Sequence, residues 1–126
     1  MVNQSRSYGS AAEQAARDRR NLTVAQTEWH DALTVDGEPV EIKAAKRKMS
    51  NGRPGRFLIR KSPHERLQRA DGWVCYVVYR ARGPGIEILA VKMVRARSVR
   101  VDQWTTTGGS EPYRDGEKQI PVTKVF

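Results

Sequence analysis

The chain has 126 residues, 38% of them hydrophobic, which suits one domain with a small core. It contains no apolar run of about 18 residues, and its first residues carry no apolar signal segment, so we expect a cytoplasmic protein without a membrane span. The 23 Lys and Arg against 14 Asp and Glu, a formal charge of +9, predict a polyanionic partner, of which nucleic acid is the commonest.

The predicted elements begin with a helix. Residues 1–8 are polar and predict a flexible arm, whereas SAAEQAARDRR, residues 10–20, is rich in Ala, Glu and Arg and predicts helix. Ser10 and Glu13 have the spacing of a capping box, and Asn21 is expected to end the helix.

Extended segments follow the helix. A short strand is predicted for residues 22–27, and a hairpin around Asp36-Gly37 for residues 30–35 and 39–47. The segments before the second helix are a loop, SNGRPG (50–55), and a short extended piece, RFLIRK (56–61).

The second helix, SPHERLQRADG at residues 62–72, has the clearest signals in the chain. Ser62 is the predicted N-cap, Pro63 the first helical residue, Glu65 the capping-box partner and Gly72 the stop.

The second half of the chain is predicted to be mostly strand. Residues 73–80, WVCYVVYR, are apolar on both faces and predict a buried central strand, in which Cys75 is a core residue rather than a nucleophile. This single cysteine excludes an intrachain disulfide and a multi-cysteine zinc site. Residues 86–96 predict the next strand and the final IPVTKVF an edge strand. The order of elements predicts an α/β fold with a mixed sheet.

Basic residues are concentrated after the hairpin. Residues 43–61 include eight Lys or Arg and no acidic residue, which fits phosphate contact better than a merely solvated face. A membrane surface is the weaker alternative, because the stretch lacks an amphipathic helical pattern. Arg95, Arg97 and Arg100 form a second basic group expected to contact phosphates.

Glu41 and Lys43 are two residues apart on the second hairpin strand and therefore share a face. A two-residue loop at Asp36-Gly37 would pair Ala32 with Glu41 and turn Asp31 away. A three-residue loop, Asp36 to Glu38, would pair Asp31 with Lys43 and bring all three side chains together.

Two convergent carboxylates and an amine would suit phosphodiester hydrolysis. Carboxylate oxygens hold Mg²⁺, the metal activates a bound water, and the ammonium binds that water or the phosphate. The alternative for Glu41 and Lys43 is an ordinary solvated ion pair worth under about 1 kcal/mol, which the spacing alone favours.

Three segments of the chain together resemble the PD-(D/E)XK nuclease superfamily, particularly its small Holliday-resolvase-like and restriction-endonuclease-like members. They are YGSAAEQAARDRRNL, WHDALTVDGEPVEIKAAKR and GRFLIRKSPHERLQRADGWVCYVVYR. The likeness covers about residues 8–95. It implies a restriction-endonuclease-like core, helix-strand-strand-strand-helix-strand, with helices flanking a mixed central sheet. It further implies a single nuclease-like domain at 9–126, with a core to about residue 96 and a C-terminal extension of 97–126.

The resemblance assigns the catalytic residues Glu13, Asp31, Glu41 and Lys43, with Asp31 and Glu41 binding Mg²⁺ or Mn²⁺. It implies a metal-dependent endonuclease acting on duplex or branched DNA, and it permits a homodimer. The expected phosphate contacts are Lys46, Arg47, Lys48, Arg53, Arg56, Arg60 and Lys61.

Several alternatives stay open beside this assignment. Glu13 is equally explained as the cap partner of Ser10, and Glu28 and Asp36 compete as carboxylates. His30 stands where the family has Pro, and both His30 and His64 are expected to be surface or cap-adjacent residues. A non-catalytic nucleic-acid-binding module or structural subunit with the same fold is the alternative function.

Overall fold

A computed structural model of the chain describes residues 4–25, 27, 29–105 and 116–126. Its helices and strands are α1 (Gln4–Arg20), β1 (Thr23–Val24), β2 (Ala32–Leu33), β3 (Pro39–Lys46), β4 (Arg56–Arg60), α2 (Lys61–Arg69), β5 (Trp73–Arg82), β6 (Gly85–Arg95) and β7 (Glu117–Pro121). Two short 3-10 turns, Ala96–Ser98 and Val122–Lys124, complete the described elements. No helix in the described ranges is long and apolar enough to cross a membrane.

The main sheet has five strands in the order β1-β2-β3-β5-β6. β3 and β5 pair in parallel, with α2 in the connection between them, and the other neighbours pair antiparallel. The predicted α/β fold with a mixed sheet flanked by helices is therefore confirmed. β4 pairs with β7 in a separate two-stranded sheet. The predicted edge strand at residues 120–126 is wrong beyond Pro121, because β7 spans Glu117–Pro121 and the chain then turns into 3-10 helix.

Two apolar clusters cover the two faces of the main sheet. On one face, Ala12 and Ala16 of α1 pack against the sheet around Cys75 and are fully buried. On the other face, Leu67 of α2 and Phe57 of β4 complete the second cluster. β5 contributes alternately to both clusters, which confirms its predicted burial, and burial raises the pKa of the Cys75 thiol to about 11.

α1 begins earlier than predicted. Residues 4–8, assigned from the sequence to a flexible arm, are helical, and Ser10 lies inside the helix rather than at its N-cap. Tyr8 accounts for the longer helix, because its ring is buried and lies 6.4 Å from that of Tyr79 on β5. The capping box of Ser10 and Glu13 is therefore wrong. Asn21 does end the helix, with a left-handed φ of 54°.

α2 also begins without the predicted cap. Arg60 occupies the N-cap position with no side-chain cap bond, and the Lys61 amide donates to the Gly116 carbonyl at 3.0 Å. Because a neighbouring segment satisfies this amide, the helix starts one residue before Ser62, and the predicted Ser62 cap is wrong. The helix ends through Asp71, whose φ is 56°, immediately before Gly72.

Gly72 has a packing role beyond the helix end. A Cβ at this position would lie 2.6 Å from the Pro39 carbonyl oxygen, so only glycine lets α2 pass this close to the start of β3. The contact fixes α2 beside the hairpin that carries Glu41.

Candidate active site

The β2–β3 hairpin has a register that neither sequence interpretation anticipated. Ala32 pairs with Val40, and the Thr34 amide donates to the Glu38 carbonyl at 2.9 Å. The loop therefore consists of Val35–Gly37, with Gly37 at a φ of 83°. Both predicted pairings are wrong, because the glycine that takes the left-handed conformation closes the loop one residue earlier than expected.

This register places Asp31, which immediately precedes β2, opposite Glu41. The Asp31 amide donates to the Val40 carbonyl at 2.8 Å, and the Asp31 carbonyl accepts from the Ala25 amide at 2.9 Å. Its Oδ2 accepts from the Ile42 amide at 2.8 Å. Asp31 is thus held by β3 and by Ala25, the residue after β1, so its carboxylate has little freedom to move.

Glu41 and Lys43 form a close, largely buried ion pair. Lys43 Nζ lies 2.7 Å from Glu41 Oε1, with side chains 20% and 10% exposed respectively. Glu41 Oε2 is buried and has no hydrogen-bond partner in the described part of the chain. A buried carboxylate oxygen without a donor is costly unless a cation or water satisfies it.

The charges of Asp31 and Lys43 act on Glu13 of α1. Burial, followed by the negative charge of Asp31, raises the pKa of the Glu13 carboxyl, while Arg17 and Lys43 act in the opposite direction. The carboxylates of Glu13 and Asp31 therefore share one electrostatic environment with Lys43.

The donor set fits a hard divalent cation. Asp31 and Glu41 offer carboxylate oxygens, and the unpartnered Glu41 Oε2 is an available ligand atom. The described residues hold no cluster of three or more His, Cys, Asp or Glu side chains able to enclose a metal. Mg²⁺ needs no such cage, because it is commonly bound by one or two carboxylates and completes its shell with water and substrate oxygens.

His30 directly precedes Asp31 and contacts Thr27 and Trp29. Thr27 Oγ1 lies 2.8 Å from His30 Nδ1, and the His30 ring packs edge-on against Trp29 at 4.2 Å. The pKa of His30 is lowered, because burial outweighs the opposing charge of Asp31 and the charge of Arg66 lowers the pKa further. Arg66 of α2 stacks on Trp29, with its Cζ 5.3 Å from the ring centroid. Sequence reasoning missed Trp29 and Arg66, because no spacing signal joins two residues so far apart in the chain.

Tyr76 lines the same side of the sheet. It is the β5 partner of Lys43, it is buried, and its pKa is raised to about 12, first by burial and then by the charge of Glu41. Tyr76 therefore stays neutral at physiological pH and walls the pair of Glu41 and Lys43 on the β5 side.

The predicted phosphate contacts spread along the molecule from this site. Lys46 lies over the Tyr8 ring at 5.6 Å, and Arg56 donates to Gln119 at 3.0 Å. The exposed members of the turn after β3 are Arg47, Lys48 and Arg53. β4 has five residues and is about 16 Å long, and it separates these cations from Lys61 at the start of α2.

Arg95 and Arg97, two of the three arginines predicted as a second phosphate-binding group, contact protein groups instead. Arg95 donates to Glu38 at 2.8 Å and lies 3.9 Å from the Trp73 ring centroid, while Arg97 is 3.4 Å from Asp71. Hydrogen bonds from Arg95 and then Trp73 lower the pKa of Glu38. These contacts connect β6 to the hairpin and to the end of α2, so Arg95 and Arg97 are engaged by protein carboxylates.

The remaining candidate residues lie elsewhere. Asp36 is exposed in the hairpin turn, and Glu28 lies outside the described residues. His64 is 1% exposed and its Nε2 is 2.9 Å from the Val99 carbonyl oxygen. Of the predicted surface or cap-adjacent position, the surface part is therefore wrong, and His64 is buried in the first turn of α2. It faces the second apolar cluster because α2 turns that side of its first turn toward the core.

A mixed sheet with a helix on each face, and with acidic residues on its central hairpin, is the architecture of the restriction-endonuclease-like class. Consistent with that class, a family model described as PD-(D/E)XK nuclease superfamily domain matches residues 2–126, and the chain belongs to this superfamily. A search of curated proteins found no match.

Proposed function

We propose that the protein is a metal-dependent DNA endonuclease that hydrolyses phosphodiester bonds. Membership of the superfamily supports a nuclease acting on nucleic acid. The observation that carries the finer proposal is Glu41, whose Oε1 is 2.7 Å from Lys43 Nζ while its buried Oε2 has no partner in the described residues. Such an arrangement suits a cation that binds between Glu41 and the opposing Asp31.

In this proposal Asp31 and Glu41 hold Mg²⁺ or Mn²⁺. When bound, the metal lowers the pKa of a coordinated water and neutralises charge on the phosphate. Lys43, oriented by Glu41, positions the attacking water and binds a phosphate oxygen through Nζ. Glu13 is the third carboxylate and, with its raised pKa, accepts or holds a proton near Asp31.

Basic residues beyond the site would hold the nucleic-acid backbone. Lys46, Arg47, Lys48, Arg53, Arg56, Arg60 and Lys61 are the proposed phosphate contacts. These residues extend from the end of β3 along β4 to the start of α2, so we expect them to contact the nucleic-acid backbone on both sides of the cleaved bond. A homodimer would supply the two sites that cutting both strands of a duplex requires.

The test is a cleavage assay with purified full-length protein on linear, nicked, branched and single-stranded DNA. We expect nicking or cutting with Mg²⁺ or Mn²⁺ and none with a chelator present. Lys43→Ala should abolish cleavage while the protein stays folded by circular dichroism. Lys118→Ala, the same change at an exposed position on β7, is the matched control and should cleave normally.

Two results would separate the competing functions. Normal cleavage by Lys43→Ala would remove the role assigned to Lys43. Tight, salt-dependent DNA binding by the wild-type protein without cleavage under any divalent metal would favour the non-catalytic binding module instead.

A further inference from the structure

A cavity of about 400 Å³ opens beyond the C-terminal end of β3, whereas Glu41 lies near the start of that strand. Its walls are apolar and include Val78 of β5, Leu89 of β6 and Phe126 after the last 3-10 turn. Arg47 and Lys48 form its basic border. No role in the proposed catalysis accounts for an apolar cavity beside a cationic turn.

A β-bulge shapes this cavity. Val78 pairs with Ala90 and Tyr79 with Ile88, which leaves Leu89 as an extra residue on β6. The extra residue bends the strand, and both Leu89 and Ala90 line the cavity as a result. Bulges of this kind are over-represented beside functional sites, where they redirect side chains.

A second, basic cavity of about 440 Å³ adjoins the first. It is lined by the four cations Lys46, Arg47, Lys48 and Arg80, with no acidic residue among its lining residues. Arg80 is paired with Glu87, so the positive charge available to a ligand comes mainly from the other three. Arg47 and Lys48 line both cavities and form the boundary between them.

The two cavities suit the phosphate and the base of a nucleotide. An anionic phosphate fits the basic cavity, and a flat, largely apolar base fits the neighbouring one. Bases in a perfect duplex stay stacked and paired, so only an unpaired or extruded base could enter. A base transferred to such a pocket gains apolar and stacking contacts, here with Phe126, a residue that is 45% exposed.

We propose that this cavity binds an unpaired nucleobase and that the preferred substrate is DNA with a fork, flap or similar unpaired nucleotide. The inference rests on the proposed nuclease function and narrows its substrate class. Arg47, which directly follows β3, is four residues beyond Lys43, or about 13 Å along an extended chain, which corresponds to about four stacked nucleotides of one strand. The cut should therefore map within a few nucleotides of the unpaired position.

The test fills the cavity without changing charge. Ala90→Trp places an indole in the cavity, and Ala11→Trp, on the exposed surface of α1 across the sheet, is the matched control. The probes are a perfect duplex and the same duplex with a forked end that carries a fluorescent adenine analogue as its unpaired base. Binding is measured by titration with a chelator present, so that affinity is read independently of cleavage.

We expect the wild-type protein and Ala11→Trp to bind the fork more tightly than the duplex and to change the fluorescence of the unpaired analogue. Ala90→Trp should weaken fork binding about tenfold, the equivalent of about 1.4 kcal/mol, and leave duplex binding and the salt slope unchanged. Ala90→Leu, a smaller insertion, should give an intermediate loss and serves if the tryptophan variant does not fold.

Equal wild-type affinity for fork and duplex, or equal loss on both with Ala90→Trp, would overturn the inference. Fork preference that persists in Ala90→Trp would also overturn it and would point to an apolar protein side chain as the occupant. Cleavage without fork preference would leave the proposed nuclease function standing, whereas fork preference without cleavage would remove only the catalytic proposal.

Discussion

The ion pair of Glu41 and Lys43 makes a stability prediction that does not depend on turnover. Lys43→Met keeps the length of the side chain but removes its charge, leaving the 10%-exposed Glu41 side chain without its cation. Breaking a fully buried pair costs about 3–5 kcal/mol, and the partial exposure here reduces this to about 2 kcal/mol. An unfolding entropy of about 2.1 cal/mol/K per residue over 126 residues converts that loss to a fall in Tm of about 8 °C.

Divalent metal should reverse part of this loss. Mg²⁺ at about a hundredfold above its Kd adds about 2.7 kcal/mol to a protein that binds it only when folded. Removing the competing ammonium should make the Mg²⁺-induced rise in Tm at least as large in Lys43→Met as in the wild type. Asp31→Asn, which removes one proposed ligand charge, should lose most of that rise.

The assay is thermal unfolding followed by circular dichroism, with Mg²⁺, with Ca²⁺ and with a chelator. Asp18→Asn, the same change at an exposed residue of α1, controls for non-specific effects of charge. An Mg²⁺ shift equal in the wild type and Asp31→Asn would refute the metal site. A Tm unchanged in Lys43→Met would show that Glu41 is satisfied without Lys43 and would refute the energetic argument.

Three further predictions concern Glu13, Gly37 and the basic residues after β3. Because the raised pKa of Glu13 makes the folded state bind a proton more tightly than the unfolded state, Glu13 lowers stability once the pH exceeds its unfolded value of 4.5. Glu13→Gln should therefore raise Tm at neutral pH and not at pH about 4, and a pH-independent effect would contradict this. Gly37→Ala should lower stability by about 1 kcal/mol, or about 4 °C, because its φ is 83°, whereas Gly85→Ala, with open space and no positive φ, is the control in the same melts. Combined Arg47→Ala and Lys48→Ala should reduce the slope of log affinity against log salt by about two, and an equal reduction from Arg95→Ala would contradict the assignment of Arg95 to protein carboxylates.

The order and type of the main elements followed from local sequence, because β5 is apolar on both faces and α2 contains strong helix formers. The starts of the two helices did not follow, since the burial of Tyr8 and the Gly116 carbonyl beside Lys61 are tertiary contacts that no local pattern encodes. Serine caps at positions 10 and 62 were plausible locally and were displaced by those contacts.

The candidate site divides in the same way. Glu41 and Lys43 share a face because alternation along a strand is a local rule. The position of Asp31 depended on where one turn closes, and Gly37 rather than Asp36-Gly37 as a pair decided it. Arg66 stacked on Trp29, and the cavity beside Arg47, arise only when distant segments meet, so sequence reasoning had no signal for either.

The pairing of β4 with β7 has a consequence for how the chain folds as it is synthesised. β4 emerges from the ribosome long before its only described partner, β7, and until then its backbone edge and the side chains of Phe57 and Ile59 lack their final cover. The closing contact, the Val122 amide on the Gly55 carbonyl at 2.9 Å, joins residues more than half the chain apart. We therefore expect the main sheet to assemble first and closure by β7 to be the slow, aggregation-sensitive step of folding.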